Sequence, residues 1–339
     1  MGQRHSPVEN MVTWQGQRVL VTGANGFLGS ILVSRLIETG ALITCLIKED
    51  RPCSQFQFDN LASRVACIRG GIEDFELLCH ILAEESINCF FHLAARPIVK
   101  EAMEDPLPAL ETNIRGTYCL LEAARCWGRI KSFVVVTSDK VYGESEKLPS
   151  TEVDHLRGIA PYDASKVCAD VLAQSYARTF NMPIGIARLA NLYGPSDTQW
   201  SRIVPGTARS IFLGQRPIIR SNGSMKRDYL FVDDAVRGLL ALGDTLIERP
   251  QLRGETFNFG TGIATSVSDI VVALLRASHT KLDPIILDHA PSEISAQCLD
   301  SQKAKRVLGW QSDVELSHGL DLAWTGYERL FREHPEALT

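Results

Sequence analysis

Apolar residues along the first half of the chain fall into two alternating patterns. Short β-branched runs, apolar at nearly every position, are separated by stretches whose apolar residues recur every three to four positions. The runs at 18–22, 41–47, 65–69, 89–93, 132–137 and 183–188 predict strands. The stretches at 27–39, 108–126 and 161–180 predict helices. Strands without a polar face must be covered on both sides, so the pattern predicts an α/β fold, a doubly wound parallel sheet between helices. Beyond about residue 190, Gly, Pro, Ser and Asn become frequent and shorter helices are expected. Segments 228–241 and 255–259 predict elements that return to the first half. The expected division is residues 1–190, with returning segments near 228–260, and a smaller C-terminal lobe, 191–339, over the strand ends where ligands of such sheets sit.

Composition narrows the possible partners. The 339 residues are 45% hydrophobic and 22% charged, an ordinary balance for a protein with a core. A net charge of −5 argues against a nucleic-acid partner, which needs a basic face. No run approaches the roughly 20 apolar residues that cross a bilayer, and residues 1–17 are polar, so no membrane partner is expected. The nine cysteines are scattered without a C-x-x-C pair. Neither a metal site nor a disulfide framework is expected, and the thiols read as reduced, buried groups of a cytoplasmic protein.

Candidate chemistry begins with Gly23-Ala24-Asn25-Gly26-Phe27-Leu28-Gly29, placed between the first strand and the first helix. Glycines there let backbone approach a pyrophosphate, and the helix N-terminus offers free N–H groups, which predicts a dinucleotide site. The second strand ends Lys48-Glu49-Asp50-Arg51, mixing both signs. Lys48 or Arg51 can face a 2′-phosphate, Glu49 or Asp50 can face a free ribose hydroxyl, and all four can simply be solvated. A second constellation follows the strand at 132–137. Ser138, Asp139 and Lys140 stand side by side, and Tyr162 and Lys166, four apart on a helix, share a face. A hydroxyl, a carboxylate, an amine and a phenol in one pocket can remove hydrogen from a carbinol and move protons.

These motifs, in order, resemble the extended short-chain dehydrogenase/reductase family, in its nucleotide-sugar epimerase and dehydratase branch. The resemblance rests on the glycine turn, His92-Leu93-Ala94-Ala95, Asn113 in Thr-Asn-Ile-Arg-Gly-Thr, and Ser138 before Val-Tyr-Gly. It continues through Pro161-Tyr162-x-x-Ser165-Lys166, Asn191 in Asn-Leu-Tyr-Gly-Pro, Arg227-Asp228-Tyr229 and Phe257-Asn258-Phe259-Gly260. It implies a Rossmann-type domain holding NAD, with NADP left open, and a lobe that grips a nucleoside diphosphate sugar. Cofactor contacts are then expected from Gly23, Asn25, Gly26, Phe27, Leu28, Gly29, Lys48, Leu93, Ala94, Ala95, Asn113, Tyr162 and Lys166. Substrate contacts are expected from Lys100, Asn191, Arg202 and Arg227, the arginines because a guanidinium fork matches phosphate oxygens. The ammonium of Lys166 and the nicotinamide charge are expected to lower the Tyr162 phenol. The chain departs from the family at Gly71, where an acidic residue that contacts adenine is usual.

Asp139 and Lys140 separate the possible reactions. Family 4-epimerases usually carry small or neutral residues there, whereas Asp-Lys resembles CDP-glucose 4,6-dehydratases. Dehydration at carbons 5 and 6 needs a base, Lys140 if neutral, and an acid, Asp139 if protonated. The expected activity is therefore an NDP-hexose 4,6-dehydratase, a lyase. The alternatives are a 4-epimerase using Ser138, Tyr162 and Lys166, and last a non-catalytic dinucleotide sensor. Asp228-Tyr229 replaces the Pro-Trp of the CDP-glucose enzymes, and Met103 replaces a Tyr, which leaves the base open. Family members commonly dimerise through two long helices, which map to 108–126 and 161–180. A homodimer is expected, with Cys119, Leu120 and Ala123 at the interface or in the core.

Overall fold

A computed structural model describes residues 14–145, 147–289 and 294–338. Of the polar segment 1–17, residues 1–13 lie outside the described residues. In chain order the described strands are β1 (Arg18–Thr22), β2 (Leu42–Ile47), β3 (Ala66–Arg69), β4 (Cys89–His92), β5 (Ser132–Ser138) and β6 (Ile184–Leu189). They continue with β7 (Asn191–Tyr193), β8 (Ile218–Ile219), β9 (Lys226–Phe231), β10 (Thr256–Phe259), β11 (Ala264–Ser266) and β12 (Ile285–Ile286).

Seven of them form one parallel sheet in the order β10-β6-β5-β4-β1-β2-β3. Alternate residues of each strand enter different cores. Val19, Val21, Cys89, Phe91, Val134 and Val136 pack with the helices Phe27–Glu38 and Val232–Glu248. Leu20, Phe90, Phe133 and Val135 pack against the helices Phe75–Glu84, Gly116–Trp127 and Pro161–Thr179. The strand order reverses between β1 and β4, which opens a crevice at their C-terminal ends. The glycine turn follows β1 and Leu93-Ala94-Ala95 follows β4, so both motifs border that crevice.

Beyond β6 the chain builds a mixed sheet, β11-β9-β7, over a separate apolar cluster that includes Tyr193, Phe231, Ile270, Leu274, Tyr327 and Phe331. Shorter helices were expected here, yet Val232–Glu248 and Leu316–Glu333 span 17 and 18 residues. Each keeps an apolar stripe at helical spacing, and burial of that stripe outweighs the breaker-rich loops around it. The helix expected at 108–126 is continuous from Leu107 to Trp127 but carries a π turn at Glu111–Arg115. Cys119, Leu120 and Ala123 are buried inside the chain, so they are core residues and not an interface. The thiols are also less uniformly buried than expected, since Cys67, Cys126 and Cys168 are exposed. No described helix is long and apolar enough to cross a membrane.

A buried polar network braces the end of the sheet that carries the candidate chemistry. Arg188 on β6 donates from Nε and Nη2 to both oxygens of Asp170, at 2.8 and 2.9 Å. The two side chains are 3% and 0% exposed. Arg188 Nη1 donates to Tyr142 Oη at 2.8 Å, and Tyr142 Oη donates to Asn258 Oδ1 at 2.7 Å. Thr137 Oγ1, one residue before Ser138, donates to Asp170 Oδ2. Asp170→Asn would leave the Arg188 guanidinium buried without its carboxylate. Urea denaturation should show a loss of about 3–5 kcal/mol; a loss under about 1 kcal/mol would remove the network from this bracing role.

Candidate active site

The glycine turn is built from steric necessity. Gly23 has φ +72°, and a Cβ there would stand 2.7 Å from the Ala94 nitrogen. A Cβ on Gly29 would run into the Gly23 carbonyl oxygen, so helix Phe27–Glu38 can start against the turn only with glycine at 29. That helix has no side-chain N-cap, which leaves the N–H groups of its first turn, from Phe27 and Leu28 onward, available to an anion. Asn25 donates from Nδ2 to the Glu49 carbonyl at 2.8 Å, tying the turn to the end of β2. On the other side of the crevice Thr22 Oγ1 accepts from the Ala94 nitrogen at 3.2 Å, and the Leu93 nitrogen donates to the Thr22 carbonyl. His92 is held between Thr22 and Thr117, and burial pushes it down to about 3, so it is a neutral strut. A backbone cradle of glycines facing an uncapped helix start fits a dinucleotide pyrophosphate.

The groups expected around the cofactor fall into two sets. Asn113 lies in the π turn and spends its amide on the Arg96 backbone, at 2.8 and 3.3 Å, and on Ser165 Oγ at 2.8 Å. It therefore fixes the chain just beyond Ala95. Lys48 is ion-paired with Glu73, while Arg51 Nη1 lies 3.6 Å from where a Cβ on Gly26 would stand. Glu73 also resolves the departure at Gly71. A Cβ on residue 71 would run into the Glu73 carboxylate, so an acidic group fills the space beside that glycine from two residues away. Its Oε2 is buried without a donor.

The second constellation converges where β5 ends. Ser138 Oγ donates to Asp139 Oδ1 at 2.9 Å and accepts from the Lys140 nitrogen at 3.3 Å. Asn191 Nδ2 donates to Asp139 Oδ2 at 3.1 Å. Tyr162 is buried beside Ser138 and Asp139, both of which act on its phenol, and Lys166 Nζ donates to the Val136 carbonyl at 3.1 Å. Lys140 Nζ donates to Gln297 Oε1, and Gln297 Nε2 donates to the Asp139 carbonyl at 3.3 Å. Gln297 carried no signal in the sequence, because it lies 157 residues from Lys140 and in no motif.

Burial sets the electrostatics. It pushes Tyr162 up to about 12, with the Asp139 carboxylate acting the same way and Ser138 and Arg202 opposing it. The lowering of Tyr162 by Lys166 expected from the spacing is not what opposes the burial; Ser138 and Arg202 do, while Lys166 Nζ is turned to the Val136 carbonyl. Lys166 is itself pushed down to about 8 by burial. Arg202 lies beside this cluster and forms a 2.9 Å ion pair with Asp197. Arg227 is buried on β9 and donates to the Lys226 carbonyl at 2.8 Å. Lys100 stands apart, 76% exposed and paired with Glu104 on the surface helix Val99–Glu104.

A parallel sheet with a glycine cradle after β1 and a Ser–Tyr–Lys cluster at the end of β5 defines an extended short-chain dehydrogenase/reductase. The family model described as GDP-mannose 4,6 dehydratase matches residues 20–322, and the chain belongs to that family. The CDP-glucose 4,6-dehydratase of Salmonella typhimurium is 33% identical over 312 residues, covering 88% of this chain and 86% of that protein. The UDP-glucose 4-epimerase of Mycolicibacterium smegmatis is 32% identical over 307 residues, covering 89% and 96%. The dTDP-glucose 4,6-dehydratase of Streptomyces venezuelae, solved with NAD bound, superposes with TM-score 0.84 at 25% identity, covering 95% of this chain and 100% of that one.

Gly23→Ala should disable the cradle, since the new Cβ meets backbone at a left-handed residue. Calorimetric NAD affinity should fall by at least about tenfold, or about 1.4 kcal/mol. Unchanged affinity would remove this turn from the dinucleotide site.

Proposed function

We propose that the protein is an NDP-hexose 4,6-dehydratase working with NAD held at the glycine cradle by Gly23, Asn25, Gly26, Phe27, Leu28 and Gly29. The observation that carries this reading is the clustering of Asp139 with Ser138 and Tyr162, with Lys140 Nζ tied to the same turn through Gln297. Epimerisation at carbon 4 needs a single proton-accepting pair, whereas elimination needs two further proton-transfer groups.

NAD, held at the glycine cradle, would supply a hydride acceptor and donor for the sugar and a positive charge that would favour the Tyr162 phenolate. Tyr162 Oη takes the proton of the carbon 4 hydroxyl, with Ser138 beside it. Lys166 orients that end of the site from the Val136 carbonyl. With a ketone at carbon 4, the carbon 5 proton becomes acidic, and Lys140 Nζ takes it. Asp139, in its protonated form, gives a proton to the departing carbon 6 oxygen, and water leaves. Asn191 and Gln297 hold Asp139 and Lys140 in register for these transfers, each worth roughly 10²–10⁴-fold in rate. Arg227, with Arg202 second, is assigned to the diphosphate, while the exposed Lys100 is left out of the site.

The 4-epimerase reading stays second because a UDP-glucose 4-epimerase is 32% identical over almost its whole length. On this proposal residues 1–190 hold the cofactor and 191–339 mainly the nucleotide sugar, and the scattered thiols support a cytoplasmic setting. Exposed Tyr118 and Val171, on the helices Gly116–Trp127 and Pro161–Thr179, support a homodimer. Light scattering at micromolar concentration should give twice the chain mass of 37.5 kDa, and a monomer would refute the dimer.

The deciding experiment is mass spectrometry of protein incubated with CDP-, UDP-, dTDP- and GDP-hexoses. One donor should lose one water; an isomer of unchanged mass would move the assignment to 4-epimerase. Asp139→Asn should slow water loss by about 10²–10⁴-fold while leaving exchange of the carbon 4 hydrogen within about threefold of wild type. Equal loss of both steps would remove Asp139 from the elimination.

A further inference from the structure

Asp163, the residue after Tyr162, has no part in the chemistry above. It lies in the first turn of Pro161–Thr179 and is 6% exposed. Its Oδ1 is buried and accepts no hydrogen bond. The side chain is packed under the turn that carries Lys140. A Cβ at Gly158 would stand 2.7 Å from the Lys140 carbonyl oxygen and 2.9 Å from Asp163 Cβ, so glycine there lets the two segments close on each other. Among the described residues, the charged and titratable groups facing Asp163 are Lys140 and Asp139 from the turn after β5, Arg227 from β9, and Tyr162 on its own helix.

A buried carboxylate oxygen without a donor is unfavourable unless a cation compensates it. Asp163 shows that tension. Burial pushes it up to about 6, Lys140 and Arg227 pull it back, and Asp139 adds to the rise. Elsewhere such a charge would simply be replaced by a neutral side chain. Beside Lys140 it has a use, because Lys140 changes charge in the elimination.

We propose that Asp163 is a positioning residue for Lys140, its carboxylate being the fixed counter-charge for the ammonium that forms when Lys140 Nζ takes up a proton. The role in turnover rests on the dehydratase reading; the electrostatic link between the two side chains does not. As the carbon 5–hydrogen bond breaks, its electron pair stays on the sugar and the proton moves to Nζ. Lys140 goes from neutral to positive and Asp163 stays negative. A carboxylate packed against the turn that carries Lys140, in a desolvated site, favours the ammonium, making Lys140 a stronger base. Asp163 is negative only above its own titration, so the support is present at neutral pH and lost as pH falls through about 6.

The test follows the ε-carbon of Lys140 by NMR in protein labelled with 13C-lysine, the signal being identified by its loss in Lys140→Arg. In wild type the Lys140 signal should show a secondary step near pH 6 as Asp163 titrates. In Asp163→Asn that step should vanish and the Lys140 midpoint should fall by about one pH unit, a tenfold loss of proton affinity. Asp163→Glu should restore most of it. Turnover by Asp163→Asn should drop about tenfold in kcat with KM little changed, and the acid limb near pH 6 should disappear, a split that a purely structural defect would not produce. A Lys140 midpoint unmoved within about 0.3 unit, with no step in wild type, overturns the inference. Should Asp163→Asn fail to fold, the presence or absence of the wild-type step decides. Water loss with no Lys140 response overturns this inference alone; a Lys140 response without water loss overturns only the dehydratase reading.

Discussion

The geometry of the site depends on two opposite charges taken out of water together, Arg188 and Asp170. Each would be strongly unfavourable alone in that position, and the bidentate pairing satisfies both at once. What the pair adds is less net stability than a single solution for the surrounding backbone. Asp170 belongs to the helix that carries Tyr162 and Lys166, and Arg188 belongs to β6. Through Tyr142 the same network grips the turn holding Asp139 and Lys140, and through Asn258 it reaches β10 and the backbones of Ser150 and Asp300. Two segments that share no local sequence are thereby locked to a common base. Proton transfer needs donor and acceptor held to within about half an ångström, which loops alone do not supply.

Desolvation then shifts four titratable groups along this end of the sheet. It lowers the cationic acids, Lys166 to about 8 and His92 to about 3, and raises the neutral ones, Tyr162 to about 12 and Asp163 to about 6. All four shifts favour the uncharged form, which is the signature of burial more than of pairing. A site tuned this way resists carrying charge until a charge is brought to it, and is most sensitive to the few fixed ions that remain. Asp163 and Arg227 matter here because each lies close enough to the cluster to change the balance of its protons.

The sheet, the glycine cradle and the Ser–Tyr–Lys set were legible in the sequence because each is written in local order. Apolar runs without a polar face specify buried parallel strands, and three glycines between a strand and a helix specify a turn of known shape. Less was legible where the reason lies across the fold. The π turn at Asn113 arises from hydrogen bonds to Arg96 and Ser165, neither of which reads as a helix signal. Gln297 reaches Lys140 from a segment without motif, and Asp163 looked like an ordinary first-turn acid favoured by the helix dipole. Only its buried, partnerless oxygen separates it from that role. Lys100 erred in the other direction: a lysine in a plausible motif that the fold leaves on a surface helix.

The adenosine end of the cradle follows the same electrostatic logic. A 2′-phosphate needs a cation that is not already neutralised. Lys48, the cation expected there, is held by Glu73, and Arg69 is drawn to Asp50 at 2.5 Å. Glu73 is in turn pulled below the usual carboxylate range by Lys48 and by its own backbone, against the opposing effect of burial. Beside β2 and β3 the chain therefore presents paired charges, Lys48 with Glu73 and Arg69 with Asp50, rather than cations open to a further phosphate. Arg51, against the Gly26 position, stands nearer the turn, where a pyrophosphate would meet it in every form of the cofactor. That division of charge favours NAD over NADP by the removal of free cations from one end of the crevice and their retention at the other.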